Sequence, residues 1–563
     1  MSDVLARALA ALQAGRAAEA ESLLRVAQST ATDFVALQVL GAALGAQGRH
    51  DGALEAFERA ATLQPPTPAL LHNRARALLN LGRREEALQG FRQALQGDAA
   101  FAPARAALAG ALDDAGLESY RARRYPEAIA SLGEALALDP SRDGTRNSLG
   151  GALAALGRFD EAEECFRAVC ARSPGDADAI NNLGTVLQAR GDLGAAAAQF
   201  ERALAIRPAH ADALTNLGFV RQEEGRFEES EALYRRALAA DPGAAIAGYN
   251  LGILRLRAFD FAAGWELNEL RYKTVPPIAT AQRFDVPQFG PDDWGRGERI
   301  ALWGEQGIGD RIVYSTLVPE LEERGERFVM ETDARLVGAY RRAHPRWTVV
   351  TREESIAAFA QCTRHIALAS LPRLTRPSLQ SFERQPVSVL AADPERSAQY
   401  RARLEAPGRL RVGISWRSFQ KSARGALQRR KSAPLAAFLA LSRRADLTLV
   451  DLQYGDTGDE RADFAAQGAS LARLAGLDLF HDIEGVLAAI DACDVVLTTS
   501  NVTAHLAGAL GKRTILVHLG ANPPFHYWAC DAAGQSLWYP SMRIITDARW
   551  NEAVETAGER IGA

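Results

Sequence analysis

The sequence predicts an α-solenoid of helical hairpins followed by an α/β region with two lobes, each built on a parallel sheet. Three observations predict it. A 34-residue period runs through the first half, a segment rich in proline and glycine ends that period, and short apolar strands then alternate with amphipathic helices. The expected domains are a repeat array over 1–272, a linker over 273–297, a first lobe over 298–395, and a second lobe with a closing helix over 396–563.

Composition excludes several classes of protein. The 563 residues carry a formal net charge of -4, which argues against binding nucleic acid by bulk charge, and 47% hydrophobic residues are typical of globular domains. The five cysteines are odd in number and lack CxxC spacing, so neither a disulfide framework nor a zinc knuckle is indicated. No signal-peptide pattern and no apolar run of about 18 residues occurs, so we expect a cytoplasmic protein in a reducing compartment.

Three positions define the period of 34 residues. Glycine occupies the first position, a small residue follows 12 positions later, and proline follows after 24. The glycine allows two antiparallel helices to approach, the small residue packs opposite it, and the proline ends the second helix. The glycines are Gly41, Gly116, Gly150, Gly184, Gly218 and Gly252; the small residues include Ala53, Ala128, Ala162 and Ala196; the prolines are Pro65, Pro140, Pro174, Pro208 and Pro242.

One unit departs from this pattern. Ala75 replaces its glycine, and the spacing from Ala75 to Gly116 is 41 residues, which predicts two extra helical turns within FAPARAALAGALDD. Through at least six units the period, glycine, small residue and proline together resemble the tetratricopeptide repeat (TPR), which implies a TPR superhelix. The last unit is degenerate after Gly252, and we expect it to cap the array.

A row of asparagines lies two residues before the motif glycine or its equivalent, on the first helix of each unit: Asn73, Asn182, Asn216 and Asn250. By register they share the concave face, where amides can hydrogen-bond the main chain of an extended polypeptide. Similar arrays attached to protein O-glycosyltransferases use an asparagine ladder to hold acceptor peptides. In the alternative interpretation these are ordinary helix residues, and Ser148 and Asp114 interrupt the row.

The second half holds two series of alternating strands and helices, the first starting at RIALW and the second at RVGISW. They predict two Rossmann-like lobes. In open parallel sheets ligands bind beyond the carboxyl ends of the strands, so we expect the site in the cleft between the lobes.

The first candidate stretch is RIALWGEQGIGDRIVYS, in which glycines at 304, 307 and 309 lead into a helix near Asp310. Such a turn lets a ligand approach the backbone and a helix N-terminus. The glycine spacing is not that of the dinucleotide fingerprint. In the alternative interpretation Asp310 is only the N-cap of the helix.

Two further stretches favour an anionic ligand. Residues 401–431 hold ten Lys or Arg against one Glu, which suits a nucleotide diphosphate, unless this is simply a solvated loop. The second is DVVLTTSNVTAHLAGALG, where a strand ends and a helix starts. Ser500, Asn501, Thr503 and His505 there predict a phosphate site, although a buried histidine is often structural.

The segments WGEQGIGDRIVYSTLVPEL, SNVTAHLAGALGK and WYPSMRII together resemble the catalytic domain of bacterial TPR glycosyltransferases, which is similar to the heptosyltransferases. FDFAAGWELNELRY resembles the linker of that family. The resemblance implies a GT-B fold with the acceptor lobe first, the nucleotide-sugar lobe second, and no metal or other cofactor. In agreement, the sole Asp-x-Asp, Asp176 to Asp178, lies in a repeat connection, and no histidine pair has ligand spacing.

The resemblance also implies roles for residues. Asp310 is the expected general base, with Glu305 as a second candidate. Arg417, Lys421, Arg430 and Lys431 would neutralise the leaving phosphate or a carboxylated sugar, and Gln453 would line the base pocket. The heptosyltransferases have Asp-Thr where this chain has Ser500 and Asn501, so the resemblance does not indicate which nucleotide sugar is the donor.

These observations predict sugar transfer from a nucleotide sugar to a Ser or Thr hydroxyl of a protein held by the array, with an inverting or a retaining outcome. Flagellin is a candidate acceptor through the resemblance alone. Two alternatives are a transferase acting on a lipid-linked or polysaccharide acceptor, and a non-enzymatic TPR scaffold with a vestigial transferase domain.

Overall fold

The computed structural model describes residues 2–27, 32–305, 307–404, 407–418, 431–520 and 526–562. The chain divides into two compact units, Met1–Pro208 and Ala209–Ala563. Among the described residues, no helix combines the length and the apolar character that crossing a bilayer requires.

The first unit is built of helical hairpins, in which each odd-numbered helix packs antiparallel to the next. Its described helices are α1 (Ser2–Gln13), α2 (Ala17–Val26), α3 (Phe34–Ala46), α4 (His50–Leu63), α5 (Pro68–Asn80), α6 (Arg84–Gly97), α7 (Ala102–Arg121), α8 (Tyr125–Leu138), α9 (Asp143–Ala155), α10 (Phe159–Arg172), α11 (Ala177–Arg190) and α12 (Leu193–Ile206). Helix α7 has 20 residues where α5 and α9 have 13, which confirms the two predicted extra turns.

The glycine and the proline of the repeat motif act as predicted, but the nearest neighbour of the glycine is a further, large residue and not the small one 12 positions later. Each proline lies two residues beyond the end of a second helix, as Pro174 does after α10. The motif glycine faces a large side chain 16 residues later, so a Cβ atom on Gly184 would lie 2.6 Å from the ring of Phe200, and one on Gly150 would lie 2.8 Å from Phe166. The large partner therefore fixes glycine at this position.

Ala75 shows how one unit tolerates a methyl group at the motif position. The residue facing it is Gly90, on which a Cβ atom would lie 2.9 Å from that of Ala75. The glycine of this hairpin has thus moved from the first helix to the second, and the close approach of the helices is kept.

The second unit begins with two more hairpins: α13 (Ala211–Glu223), α14 (Phe227–Ala240), α15 (Ala245–Arg257) and α16 (Phe261–Asn268), followed by a 3-10 turn, Glu269–Tyr272. In the first of them the small residue contacts the motif glycine directly, since the Ser230 hydroxyl donates to the Gly218 carbonyl oxygen at 2.7 Å.

The last hairpin, which was expected to cap the array, packs on the α/β region. Trp265 on α16 is 1% exposed. Its indole Nε1 donates to the carbonyl oxygen of Arg376 at 2.9 Å, and its ring makes an edge contact with Trp538. The sequence of this hairpin is degenerate because its face packs on the α/β region.

The α/β region contains two parallel sheets, as predicted. The first has the order β3-β2-β1-β4 and the second has the order β6-β5-β7-β8-β9. All strand pairs are parallel. The strands are β1 (Arg299–Trp303), β2 (Arg327–Glu331), β3 (Thr348–Val350), β4 (Arg364–Ala367), β5 (Leu410–Ser415), β6 (Leu447–Asp451), β7 (Val495–Thr498), β8 (Thr514–Leu519) and β9 (Met542–Asp547).

Helices cover both sheets. They are α17 (Ile308–Ser315), α18 (Val318–Glu323), α19 (Val337–Ala343), α20 (Arg352–Phe359), α21 (Pro372–Thr375), α22 (Pro394–Arg403), α23 (Leu439–Ser442), α24 (Gly458–Ala466), α25 (Ile483–Ala492), α26 (Val502–Ala509) and α27 (Trp550–Glu559). The closing helix α27 packs on β8 and β9 of its own sheet.

One apolar core joins the last hairpin to the two lobes. It includes Trp265 of α16, Leu302 of the first sheet and Val496 of the second. A second core covers the opposite face of the second sheet. The segment predicted as a linker runs between Tyr272 and β1, and near its end the Phe289 N–H donates to the His365 carbonyl oxygen at 2.8 Å.

Candidate functional site

Asp310 lies in the first turn of α17, directly after the loop that follows β1. The N-cap of this helix is Gly307, so the alternative interpretation of Asp310 as the N-cap is wrong. Gly307 has no side chain to cap the first N–H groups of the helix. Asp310 is half-buried, and burial raises its pKa to about 6, with the charge of Glu305 adding to the increase and that of Lys431 opposing it.

Lys431 brings a buried positive charge to Asp310. Its side chain belongs to a residue only 5% exposed, and burial lowers its pKa to about 8, while the charge of Asp310 acts in the opposite direction. The next residue, Ser432, is hydrogen-bonded to the segment after β5, because the Ser418 N–H donates to Ser432 Oγ at 3.1 Å. Lys421 and Arg430, predicted to join this site, lie outside the described residues.

His505 lies one turn inside α26, whose N-cap is Asn501. Burial, and to a lesser extent the charge of Lys431, lowers the pKa of His505 to about 3, so the ring is neutral at physiological pH. Its Nδ1 atom lies 2.9 Å from the hydroxyl oxygen of Tyr539, and its ring stacks on Trp528. If the phenol donates to Nδ1, the neutral ring carries its proton on Nε2.

The first turns of α17 and α26 face each other. A Cβ atom on Gly309 would lie 2.9 Å from Cδ2 and 3.2 Å from Nε2 of His505. Helix N-termini favour anions, since their first N–H groups have no partner within the helix. Two helix N-termini and a lysine therefore meet beside one carboxylate, an arrangement that can hold a phosphate next to a base.

Ser500 and Asn501 have partners within the protein. Ser500 Oγ accepts from the indole Nε1 of Trp528 at 2.9 Å. The Asn501 amide donates to Ser415 Oγ at 2.9 Å, and its oxygen accepts from the Ala504 N–H. These side chains connect the ends of β5 and β7 to the start of α26, and they thereby hold the site in shape. Thr503 is buried beside them.

Gln453 and Arg417 belong to the same framework. The oxygen of the Gln453 amide accepts the N–H groups of Trp416 at 2.7 Å and Arg417 at 2.6 Å, and its nitrogen donates to the Tyr454 carbonyl oxygen at 2.7 Å. Gln453 therefore orders the turns after β5 and β6 through both ends of its amide. The side chain of Arg417 is 35% exposed and lies 3.5 Å from Glu460.

Glu305 is engaged by an arginine from the last hairpin. Its two carboxylate oxygens accept from Arg271 Nε at 2.8 Å and from Nη2 at 2.7 Å. Burial raises the pKa of Glu305, and Arg271 counteracts that increase. Because both oxygens are engaged, Glu305 is less suited than Asp310 to accept a proton from a substrate.

Four tyrosines near Asp310 were not predicted from the sequence. Burial is the main reason why the pKa of each tyrosine is raised, and the negative charge of Asp310 raises it further. The four residues are Tyr249, Tyr314, Tyr527 and Tyr539. Tyr249 comes from α15 of the last hairpin. Only Tyr314, one turn beyond Asp310 on α17, could have been found from helical spacing.

The predicted asparagine row occurs on the first helices of the hairpins. In the first unit Asn73 lines a cavity of about 170 Å³ together with His50, Arg76 and Asn80. Asn182 donates to Asn147 Oδ1 of the preceding hairpin at 3.1 Å, so Asn147 fills the gap at Ser148.

The second unit carries the other two members of the row. Asn216 is half-buried on α13, and Asn250 on α15 hydrogen-bonds the hydroxyl of Tyr234. Amides that already bind neighbouring side chains at one end can still offer their remaining hydrogen-bonding capacity to a ligand.

The Asp-x-Asp sequence has a structural role. Asp176 caps α11 by accepting from the N–H groups of Asp178 and Ala179, and Asp178 pairs with Arg207 at 2.6 Å. Within the described ranges, no three His, Cys, Asp or Glu side chains are grouped so that they could hold a metal ion.

Known proteins resemble parts of this chain. Family models described as "Tetratricopeptide repeat" match residues 39–105, 114–177 and 187–251. Protein FlbA of Caulobacter vibrioides is 29% identical over 318 residues, covering 52% of this chain and 51% of FlbA, so the chain spans about half the length of that relative.

Among solved structures, a TPR protein called YrrB, described as having an unusual peptide-binding site, is 23% identical, with a TM-score of 0.28, and covers 34% of this chain and 96% of its own. The C-terminal part of a TPR repeat-containing protein from Cytophaga hutchinsonii is 15% identical, with a TM-score of 0.33, and covers 42% of this chain and 95% of its own. From the family models and the hairpins described above, the helical part of this chain consists of tetratricopeptide repeats.

Proposed function

We propose that the chain is a glycosyltransferase that moves a sugar from a nucleotide sugar to a Ser or Thr hydroxyl of a protein bound by the repeats. The observation that carries the proposal is the position of Asp310. It lies in the first turn of α17, which faces the first turn of α26, the charge of Lys431 acts on it, and its pKa of about 6 suits a general base at neutral pH.

In the proposed reaction Asp310 takes the proton of the acceptor hydroxyl. The acceptor oxygen forms a bond to the anomeric carbon, and the bond between that carbon and the phosphate oxygen of the nucleotide breaks. The nucleotide leaves with the electron pair. Lys431 and the N–H groups of α26 would stabilise the charge that develops on its phosphate, and the neutral His505 could donate from Nε2.

Positive charge opposite the leaving group comes, in this proposal, from the lysine and the helix N-termini, so no metal is required. The GT-B class remains part of the proposal. Two parallel sheets, with the candidate base after the first strand of one and the candidate phosphate site after β7 of the other, support it.

The repeats would supply the acceptor. Asparagines on the first helices of successive hairpins can bind an extended main chain, and the last hairpin brings Tyr249 close to Asp310. Within the second unit, the hairpin that carries Asn250 therefore also lies beside the candidate base. Flagellin remains a candidate through the resemblance of the sequence alone.

A nucleotide screen tests the donor half of the proposal. We expect one of UDP, GDP, ADP, CMP or dTDP to raise the midpoint of thermal unfolding of the purified protein, because a ligand that binds only the native state stabilises it. If none binds, as measured also by calorimetry, the scaffold alternative is favoured and the proposal fails.

A mass comparison tests the acceptor half. Intact-mass spectrometry of proteins from cells with and without this gene should reveal a sugar-sized mass difference on at least one protein. If the only difference is in lipid-linked or polysaccharide fractions, the alternative acceptor class is correct and the repeats serve to dock a partner.

A further inference from the structure

The repeat array ends in a buried arginine that reaches the catalytic loop. Arg271 lies in the 3-10 turn after α16, and its side chain is 2% exposed. It makes the two-bond contact with Glu305, which lies in the loop between β1 and α17, five residues before Asp310. A two-bond contact between arginine and carboxylate fixes both distance and orientation.

Arg271 is itself held in place from several directions. Its Nη1 donates to the carbonyl oxygen of Asn268 at 3.0 Å and to Glu269 Oε1 at 2.6 Å. Its Nη2 donates one hydrogen to Glu305 and shares the other between the Tyr272 hydroxyl and Ser370 Oγ, each at 2.7 Å. Ser370 in turn donates to Glu269 at 2.8 Å. All donors of the guanidinium thus have partners, as a buried charge requires.

Stability alone does not explain the ion pair between Arg271 and Glu305. Buried ion pairs are often no more stabilising than apolar residues of similar size, so a pair that joins a repeat to the loop of a candidate base needs another explanation. A second connection runs in parallel, since Trp265 of α16 packs on His526, and His526 Nε2 lies 2.9 Å from the hydroxyl of Tyr314 on α17.

We propose that Arg271, at the end of the repeat array, is a positioning residue that sets the place of Asp310 by holding Glu305. This inference rests on the proposed function only in its assignment of Asp310 as the base. It implies that the last repeat is part of the catalytic apparatus, so the catalytic region lacks a fixed base when the repeat is removed.

Several titratable groups in the described part of the chain surround Asp310. They are the carboxylate of Glu305, the ammonium group of Lys431, the neutral ring of His505 beside Gly309, and the phenols of Tyr249, Tyr314, Tyr527 and Tyr539. Among these groups Glu305 carries the negative charge, so removal of this charge should lower the pKa of Asp310. Loss of the hydrogen bonds between Glu305 and Arg271 should instead allow the loop between β1 and α17 to move.

Three variants separate charge from positioning. Glu305→Gln keeps an oxygen acceptor for Arg271 and removes the charge, and Glu305→Leu removes both. The matched control is Glu320→Leu, because Glu320 forms an equally buried pair with Arg376 at 2.6 Å in the same lobe and is not among the groups that shift the pKa of Asp310.

The measurement is modification of Asp310 by a water-soluble carbodiimide with glycine ethyl ester, followed by peptide mass spectrometry across pH, with an exposed aspartate as internal reference. The low-pH plateau of the rate reports how accessible the carboxyl group is, and the midpoint reports its pKa. No sugar donor is needed, so an inactive parent protein would defeat the proposed function without affecting this test.

We expect Glu305→Leu to raise the plateau rate at Asp310 about tenfold, Glu305→Gln to keep it within about twofold while lowering the midpoint, and Glu320→Leu to change neither. With a donor identified, kcat of Glu305→Leu should fall about tenfold or more at unchanged donor KM. The inference is overturned if the plateau rate of Glu305→Leu, or of Glu305→Ala where the leucine variant does not fold, matches that of the parent, whatever the midpoint.

Discussion

A Cβ atom on Gly309 of α17 would lie 2.9 Å from the ring of His505 on α26. The first turns of the two helices can approach this closely because Gly309 has no side chain. The two helices come from different lobes of the α/β region. Their contact brings the candidate base and the candidate phosphate site together.

Gly309→Ala should therefore push the two helices apart. A methyl group at this contact must displace His505, and overpacking of this kind costs about 1–3 kcal/mol of unfolding free energy. We also expect weaker nucleotide binding. Gly307→Ala is the control in the same loop, because its added methyl group meets open space at a φ of -62° and its cost is limited to the weaker N-cap preference of alanine. Urea denaturation of both variants checks this, and equal stabilities would contradict it.

The pH dependence of donor turnover should be bell-shaped. A base must be deprotonated, so the rate rises as pH increases through about 6, the pKa of Asp310; a charged lysine must keep its proton, so the rate falls through about 8, the pKa of Lys431.

Lys431→Met tests whether the rise in rate (the acid limb) belongs to Asp310 and the fall (the alkaline limb) to Lys431. Lys431 lowers the pKa of Asp310, so its removal should move the acid limb to higher pH and abolish the alkaline limb. Lys512→Met is the control, since this half-buried lysine donates to the Asp491 carbonyl oxygen and does not contribute to the pKa of Asp310. A profile of Lys431→Met that matches the parent would refute the assignment.

The asparagine row should affect the acceptor and not the donor. Asn182→Ala or Asn216→Ala removes one amide and should raise the KM for a protein acceptor by about 2- to 10-fold, the value of one hydrogen bond. Hydrolysis of the donor alone should not change. Asn551→Ala, at an exposed position of α27, is the control. Equal acceptor KM values for all three would remove the row from the binding site.

Within the repeats, Gly184→Ala should destabilise the first unit. The new methyl group would lie 2.6 Å from the ring of Phe200, for an expected loss of about 1–3 kcal/mol in unfolding free energy. Gly194→Ala in the second helix of the same hairpin meets no close atom and should be neutral or stabilising by up to about 1 kcal/mol. Thermal and urea unfolding distinguish the two, and similar losses would show that helix contact does not fix the motif glycine.

The repeats were predictable because their signals are local. A glycine, a small residue and a proline at fixed offsets determine one hairpin, and even the lengthening of α7 follows from a spacing of 41 in place of 34. The large residue 16 positions after the glycine was equally visible in the sequence. It was not predicted as part of the motif because an aromatic side chain in a helix is usually interpreted as an ordinary residue of the hydrophobic core.

The site was predictable only in part, because its contacts join distant segments. The glycine-rich turn correctly indicated the start of α17, but the N-cap is Gly307 and not Asp310. The partner of Glu305 lies 34 residues earlier in a repeat, and Gln453 faces turns after β5 and β6 that meet only in the folded sheet. Residue type and spacing along the chain do not encode such pairings.

The most direct test of the central claim is a single-turnover measurement of sugar transfer with Asp310→Asn. This substitution keeps the size of the side chain and removes its ability to accept a proton. Radiolabelled donor, identified through the nucleotide screen, would be mixed with excess enzyme and acceptor protein. We predict unchanged donor binding and transfer slower by about 100-fold or more. Transfer at the parent rate would show that Asp310 is not the base.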